Sequence, residues 1–233
     1  MSTPAWYLDE LRFAGPEHLD PAFVAAYDAK QQTDWTPDVR LLRKLGLDRT
    51  RTVVDIGAGT GAFDLALAPF ARRVVAVDIS PAMLAIIRER ATVAQAKNLE
   101  CVQAGFMSYQ HSGPPADFVY TRNALHHLPD FWKGLALERI AAMLKPGGVL
   151  RLRDIVYGFP LEETETRIGA WLAAAKSDPK LGYTRQEYET HLHDEYSTYS
   201  WLLEPLLERA GFALEEVDFT PNRLYAAYVC VKR

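Results

Sequence analysis

The sequence predicts one α/β sandwich, a largely parallel sheet between two layers of helix, with helical additions before the sheet and late in the chain. Three observations predict it. Apolar runs rich in Val and Ile alternate with helical patterns from about residue 52 to 155, as strands joined by crossover helices do. A turn with three glycines, Gly57-Ala58-Gly59-Thr60-Gly61, stands between the first such run and the helical pattern after it. Two strand-like runs close the chain after a helical stretch, so an insertion interrupts the sheet and the last residues complete it.

Each element follows from local signals. Pro21 to Lys30 and Thr36 to Leu45 read as helices; the second has Thr36 as N-cap, Pro37 at the first turn and Gly46 as stop. The first strand is Thr52 to Ile56. The second, Arg73 to Asp78, ends before Ser80-Pro81, a helix start with serine as cap. The third covers Leu99 to Gln103 and the fourth Ala116 to Thr121. The next helix sets Phe131, Leu135, Ile140 and Leu144 among its apolar positions, and Lys145-Pro146-Gly147-Gly148 stops it. Val149 to Asp154 is the fifth strand. About three helical patterns fill residues 160–210 and end at Gly211, before Phe212 to Phe219 and Leu224 to Val231. The expected organisation is a helical lid over 1–50, a ligand-binding core over 51–155, a helical cap over 156–210 and final strands over 211–233, all in one domain.

Bulk properties narrow the function. A chain of 233 residues can bury a full core. With 26 basic and 30 acidic residues the net charge is −4, which offers no field for gripping phosphates, so no nucleic-acid partner is expected. Cys101 and Cys230 match no metal or redox spacing, which fits a reducing compartment. The first ten residues lack the basic-then-apolar order of a signal peptide, and no apolar run suits a bilayer; a cytoplasmic protein without a membrane partner is expected.

The glycine turn carries the chemistry. Glycines at every second position let the backbone turn sharply and approach a ligand beyond the carboxyl end of a strand. Asp78, at the end of the second strand, can accept ribose hydroxyls. The spacing is G-x-G-x-G rather than the G-x-G-x-x-G of dinucleotide sites, and Asp55 precedes it. A tighter loop suits a cofactor without a pyrophosphate, such as S-adenosylmethionine.

Four blocks in order, VVDIGAGTGAF, VVAVDISPAML, DFVYTRNALHHLPD and LKPGGVLRLRD, resemble the class I S-adenosylmethionine-dependent methyltransferases. The likeness is to the small-molecule branch that includes ubiquinone and menaquinone biosynthesis enzymes. It implies a Rossmann-like three-layer sandwich of seven strands with an antiparallel last strand. It also implies that Gly57, Gly59 and Gly61 line the methionine part and that Asp78 holds the ribose, with Asp55 and Ile79 beside them. The family often has an acidic residue after the third strand for the adenine amino group; Ala104-Gly105-Phe106-Met107 has none. Packing on Phe106 or Met107, with backbone groups, is the expected substitute, and ordinary core is the alternative for Phe106.

Methyl transfer needs alignment above all. His126 and His127, after the fourth strand, are candidates for a base with a pKa near the imidazole value, against the simpler reading of a helix cap or packing. Arg122 and Asn123 are expected to touch the cofactor through backbone groups. Arg151 and Arg153 share a strand face and are expected to pair with Asp154. His191 and Glu195 lie four apart but lack an evident third metal ligand, so a solvated helix is expected. Tyr188, Leu192 and Tyr196 form a helical stripe that reads as packing, while the aromatic cap suits a flat or apolar small-molecule acceptor. Phe23, Tyr27 and Lys30 share a helix face in the lid, with Tyr27 the candidate for the methionine end. The function expected is O-, N- or C-methylation of a small metabolite by a monomer or homodimer. A non-catalytic protein that binds the nucleoside as a scaffold, and a nicotinamide-dependent reductase, are the alternatives.

Overall fold

Runs of β-branched residues build the centre of the sheet in the computed structural model, which describes residues 6–20, 24, 27, 28, 30, 33–179 and 181–233. Thr52–Ile56 (β1), Arg73–Asp78 (β2), Leu99–Gln103 (β3), Ala116–Arg122 (β4) and Leu144–Tyr157 (β5) are parallel, in the spatial order 3-2-1-4-5. Thr198–Tyr199 (β6) is a short strand beside Val156 and Tyr157 at the end of β5. Phe212–Phe219 (β7) forms the far edge, and Tyr225–Lys232 (β8) lies between it and β5, antiparallel to both. The expected reversed strand is therefore β8, the last in the chain. The short β6 is additional.

Strand alternation sends neighbouring side chains to opposite layers. Val53, Val74, Phe118 and Val149 pack under Thr36–Lys44 (α1) and Ala62–Leu67 (α2), against Val39, Leu42, Phe63 and Leu67. Val54, Ile56, Val75, Val119 and Leu150 face the other layer, where Leu137 and Ile140 come from Asp130–Met143 (α4) and Leu203 and Leu207 from Ser200–Arg209 (α7). Pro81–Val93 (α3) sets Leu84 and Ile87 on Ala76. Each fully buried Val, Leu, Ile or Phe contributes about 1.5–3 kcal/mol before ordering entropy is counted. Helices thus cover both faces, as a buried parallel sheet requires.

Several boundaries shift. Ser80 caps α3 as expected, its Oγ accepting from Met83 N at 3.2 Å. Thr36 does not cap α1; it is the first helical residue, and its N–H donates to Asp34 Oδ1 at 2.9 Å. Lys145-Pro146-Gly147-Gly148 lies within β5, because a bulge opposite Ala116 and Phe118 absorbs the extra residues. Of the helix expected over residues 21–30, Val24, Tyr27, Asp28 and Lys30 are described and helical, while Phe23 lies outside the described residues.

The cap contains Thr164–Ala173 (α5) and Arg185–Asp194 (α6), the latter opened by a reciprocal Thr184–Glu187 capping box. Trp171, Tyr157 and Phe159 form a satellite core with Tyr188, Leu192 and Tyr199. Tyr196 leaves the expected stripe: α6 ends at Asp194, and Tyr196 is 39% exposed. Among the described residues no helix is long and apolar enough to cross a membrane.

Candidate active site

Chain order reverses between β1 and β4, and the crevice at such a switch point lies beyond the strands' carboxyl ends. A cleft opens there with about 670 Å³ of empty space, part of it continuous with solvent. Its floor is Ile56, Gly57 and Gly59 after β1, Asp78 and Ile79 after β2, and Arg122 and Asn123 after β4.

The glycine turn is shaped by contacts on both sides. Gly57 has φ +80°, and a Cβ there would meet Ala124 Cβ at 2.4 Å, so glycine lets the two loops close on each other. Gly61, at φ +72°, faces Ile87 instead and packs α2 against α3 rather than lining the cleft. Asp78 stands at the turn's mouth, its Oδ2 accepting from Gly59 N and its Oδ1 from Ser80 N, both at 2.8 Å. Burial raises its pKa to about 6, although these backbone N–H groups oppose the rise. Asp55 is behind the turn, fully enclosed with Asp64. Desolvation first, then repulsion from Asp64 and Asp78, raises Asp55 well above the ordinary value, and desolvation lifts Asp64 to about 7.

The N-terminal segment crosses the cleft. Phe13, His18 and Tyr27 line it, and Tyr27 Cε1 is 3.8 Å from where a Gly59 Cβ would stand. Asp28 secures this crossing by accepting from Thr60 Oγ1 and pairing with Arg90 Nη1 at 2.6 Å. Lys30 Nζ pairs with Glu187 of the cap. Glu10 enters at the β3 side, its Oε2 accepting from Ser108 N at 3.1 Å and Ser108 Oγ at 2.9 Å. Gly105 admits it, since a Cβ there would meet Oε1 at 2.3 Å. A buried carboxylate therefore occupies the neighbourhood where β3 itself supplies none. Desolvation raises its pKa, against the hydrogen bonds it receives around Met107 and Ser108.

Arg151 and Arg153 do not pair with Asp154. Both turn to Asp38 of α1, at 3.2 and 2.8 Å, and Tyr120 OH donates to the same carboxylate at 3.0 Å. Burial would raise Asp38, but Arg153 and Arg151 outweigh it and hold the pKa low. Arg122 is the third guanidinium of the group, 3.6 Å from Asp38 and stacked 4.8 Å from the Trp35 ring centre. Its Nη1 is buried with no hydrogen-bond partner among the described residues. Of the three guanidinium groups gathered on Asp38, Arg122 lines the cleft.

Asp154 serves His126 instead. His126 Nδ1 bonds Asp154 Oδ1, and its Nε2 lies 3.0 Å from Glu195 Oε2. Burial opposes protonation of His126, yet Asp154 and Glu195 raise its pKa to about 9. His127 is lowered well below the ordinary value by desolvation and by His126 and His18. Neither histidine therefore has the near-neutral pKa expected of a base. His191 is not on a solvated face: it is buried, with Nδ1 on Glu195 and Nε2 2.8 Å from Ser197 Oγ.

The structure brings Tyr27, Gly57, Gly59, Asp78, Ile79, Phe106, Arg122, Asn123 and His127 to the cleft. Asp55, Gly61, Met107 and His126 stand behind it rather than on its wall. Asn123 adopts φ +50°, which asparagine tolerates better than most residues. Glu10 and His18 were not expected; nothing local in the sequence joins Glu10 to Ser108, 98 positions away. The cap tyrosines pack on one another and on Trp171, so the apolar wall comes from Phe13, Phe106 and Leu128.

Residues 53–148 match a family described as a methyltransferase domain. A protein of Staphylococcus carnosus named as an uncharacterized methyltransferase is 30% identical over 181 residues, covering 76% of this chain and 78% of its own. A demethylmenaquinone methyltransferase of Listeria monocytogenes is 24% identical over 204 residues, covering 86% of this chain and 80% of its own. Among solved structures, magnesium protoporphyrin IX methyltransferase from Synechocystis with bound SAH superposes with a TM-score of 0.61. It is 18% identical, with coverage of 97% of this chain and 93% of that one.

Proposed function

The chain belongs to the S-adenosylmethionine-dependent methyltransferases, and on that premise we propose that it methylates a small organic acceptor in the cleft beyond β1, β2 and β4. The observation that carries this reading is the presence of an amide-oriented carboxylate, Asp78, and a guanidinium side chain, Arg122, on the walls of one cleft. An acceptor for ribose hydroxyls and a donor for an amino-acid carboxylate are the two polar groups the cofactor requires. Gly57 and Gly59 would leave room at the methionine end under Tyr27. Ile79 and Phe106 would flank the base, with Glu10 near enough to take its amino group.

When bound, S-adenosylmethionine supplies a methyl group on a sulfonium, already activated for transfer. The chain's task is then to align the acceptor and exclude water. The N-terminal lid (residues 1–50) and the cap (156–210) do this, tied to each other by Lys30 and Glu187 and to the core (51–155, completed by 211–233) by Asp28. On the acceptor side the wall is apolar, from Phe13 and Leu128, with His127 as its polar group and His126 as the positioning residue behind it. A flat or apolar small molecule with one polar reacting atom suits these walls.

The test is a thermal-shift and turnover pair. S-adenosylhomocysteine should raise Tm by mass action, whereas NAD(H) and NADP(H) should not, and methyl-labelled cofactor should pass label to members of a small-molecule panel. A shift with nicotinamide cofactors alone overturns the cofactor assignment. Cofactor binding with no transfer to small apolar acceptors overturns the acceptor class.

A further inference from the structure

The cluster beside the cleft exceeds what alignment of an acceptor needs. One ring nitrogen each from His126 and His127 and a carboxylate oxygen of Glu195 lie within 4.8 Å of one another. Two imidazoles and one carboxylate form a ligand set that suits divalent transition metals, and three protein ligands leave a position open. Bonds of about 2.0–2.2 Å would bring such ligands to within roughly 3.5 Å of each other, so modest side-chain closure completes the site.

Supporting contacts are arranged as a metal centre requires. His126 hands its Nδ1 to Asp154, which fixes the ring and leaves Nε2 facing Glu195. A carboxylate behind a ligating histidine is the usual support of a metal-bound imidazole. Ile155 N anchors Asp154 in turn, donating to Oδ1 at 2.8 Å, and His126 N donates to Oδ2 at 3.1 Å. His191, held by Ser197, orients Glu195 from the cap side. His127 Nδ1 is buried with no hydrogen-bond partner among the described residues. A purely structural network would leave this atom unsatisfied at about 1–3 kcal/mol. Asp154 and Glu195 bring two carboxylates to one imidazole, and a dication in place of the shared proton balances both.

We propose that His126, His127 and Glu195 hold a divalent transition-metal ion of the zinc and iron(II) class, with Asp154 as the supporting carboxylate. Its open position adjoins the cleft wall that His127 forms, where an oxygen of the acceptor would bind. That last role rests on the methyl-transfer reading; the site itself does not.

The probe is Co²⁺ titrated into the full chain, read by its visible d–d absorption, with Zn²⁺ and Fe²⁺ as competitors. The site should bind Co²⁺ stoichiometrically and lose it to Zn²⁺. Glu195→Gln and His127→Ala should abolish the bands, and Asp154→Asn should weaken affinity about 10–100-fold. Circular dichroism and melting temperature, measured on every variant, report that the chain is folded. Absence of Co²⁺ and Zn²⁺ binding in the unaltered chain overturns the proposal, as does binding that all three variants retain. Metal binding without S-adenosylhomocysteine binding would sink the methyl-transfer reading and leave the metal site standing.

Discussion

If Asp78 holds the ribose as proposed, cofactor affinity depends on pH in a calculable way. Its carboxyl is buried at the cleft floor, oriented by the Gly59 and Ser80 amides, and titrates at about 6 rather than 3.8. Ribose hydroxyls donate to the ionised form, so a bound nucleoside favours loss of the proton. Below about pH 6 that proton must leave before binding, and the apparent Kd rises about tenfold per pH unit. Affinity for S-adenosylhomocysteine should thus be flat above about pH 7 and roughly tenfold weaker at pH 5. Asp78→Asn removes the charge and should weaken binding by one charge-assisted hydrogen bond or more, about 1.5–3 kcal/mol or 10–100-fold. It should also abolish the limb. The assay is isothermal titration at several pH values with buffer-ionisation correction, since proton release on binding reads the same ionisation directly. A flat wild-type profile across this range, with no proton release, would refute the reasoning even if the variant fails to fold.

Two further outcomes test neighbouring groups. Glu10→Ala removes the acceptor of Ser108 N and Oγ and should raise the S-adenosylhomocysteine Kd about tenfold or more, equivalent to about 1.4 kcal/mol; an unchanged Kd in titration would show that Glu10 only fastens the turn. Asp64 titrates at about 7 in the folded chain against 3.8 as the ordinary value, so its contribution is complete below the lower value and is lost as pH rises through the upper. Asp64→Asn should therefore melt several degrees above wild type at about pH 8, by a smaller margin at about pH 5, and level with it only below about pH 4. A melting difference that does not grow between about pH 4 and pH 8 would contradict a buried, proton-holding Asp64.

The fold was legible because its signals are local. Val-rich runs, Ser80-Pro81 and the glycine turn each act within a few residues, and the structure puts strand, turn and helix where those residues require. The floor of the cleft was legible for the same reason: Gly57, Gly59, Asp78, Ile79 and Asn123 sit at strand ends, and parallel order places strand ends together. The opposite side is assembled from distant pieces. Arg151 and Arg153 share a strand face as expected, but α1 brings Asp38 to them, 113 and 115 positions earlier. The spacing of His191 and Glu195 was visible; that β4's loop would supply His126 as a third member was not. Gly61 and Asp55 belong to the motif yet face inward, because the third glycine packs helices and the aspartate points beneath the turn.

That division has a physical consequence for orientation. The β4 side of the cleft carries Arg122, and the β2–β3 side carries Asp78 and Glu10. A molecule with an anionic end and an end bearing hydroxyls and an amine is favoured in one direction only. Reversal would set its carboxylate against Asp78 and leave Arg122 Nη1 without a hydrogen bond among the described residues, 3.6 Å from Asp38, each costing about 1–3 kcal/mol or more. Charges of the glycine turn itself contribute little to this choice, since Asp55 and Asp64 retain a proton between them when buried together. On the proposed reading, direction is thus set by side chains that the local motif does not contain, above all by Arg122 beside Asp38 and by Glu10 held at Ser108. On the same reading, the motif places the cofactor, and the distant contacts choose which way round it lies.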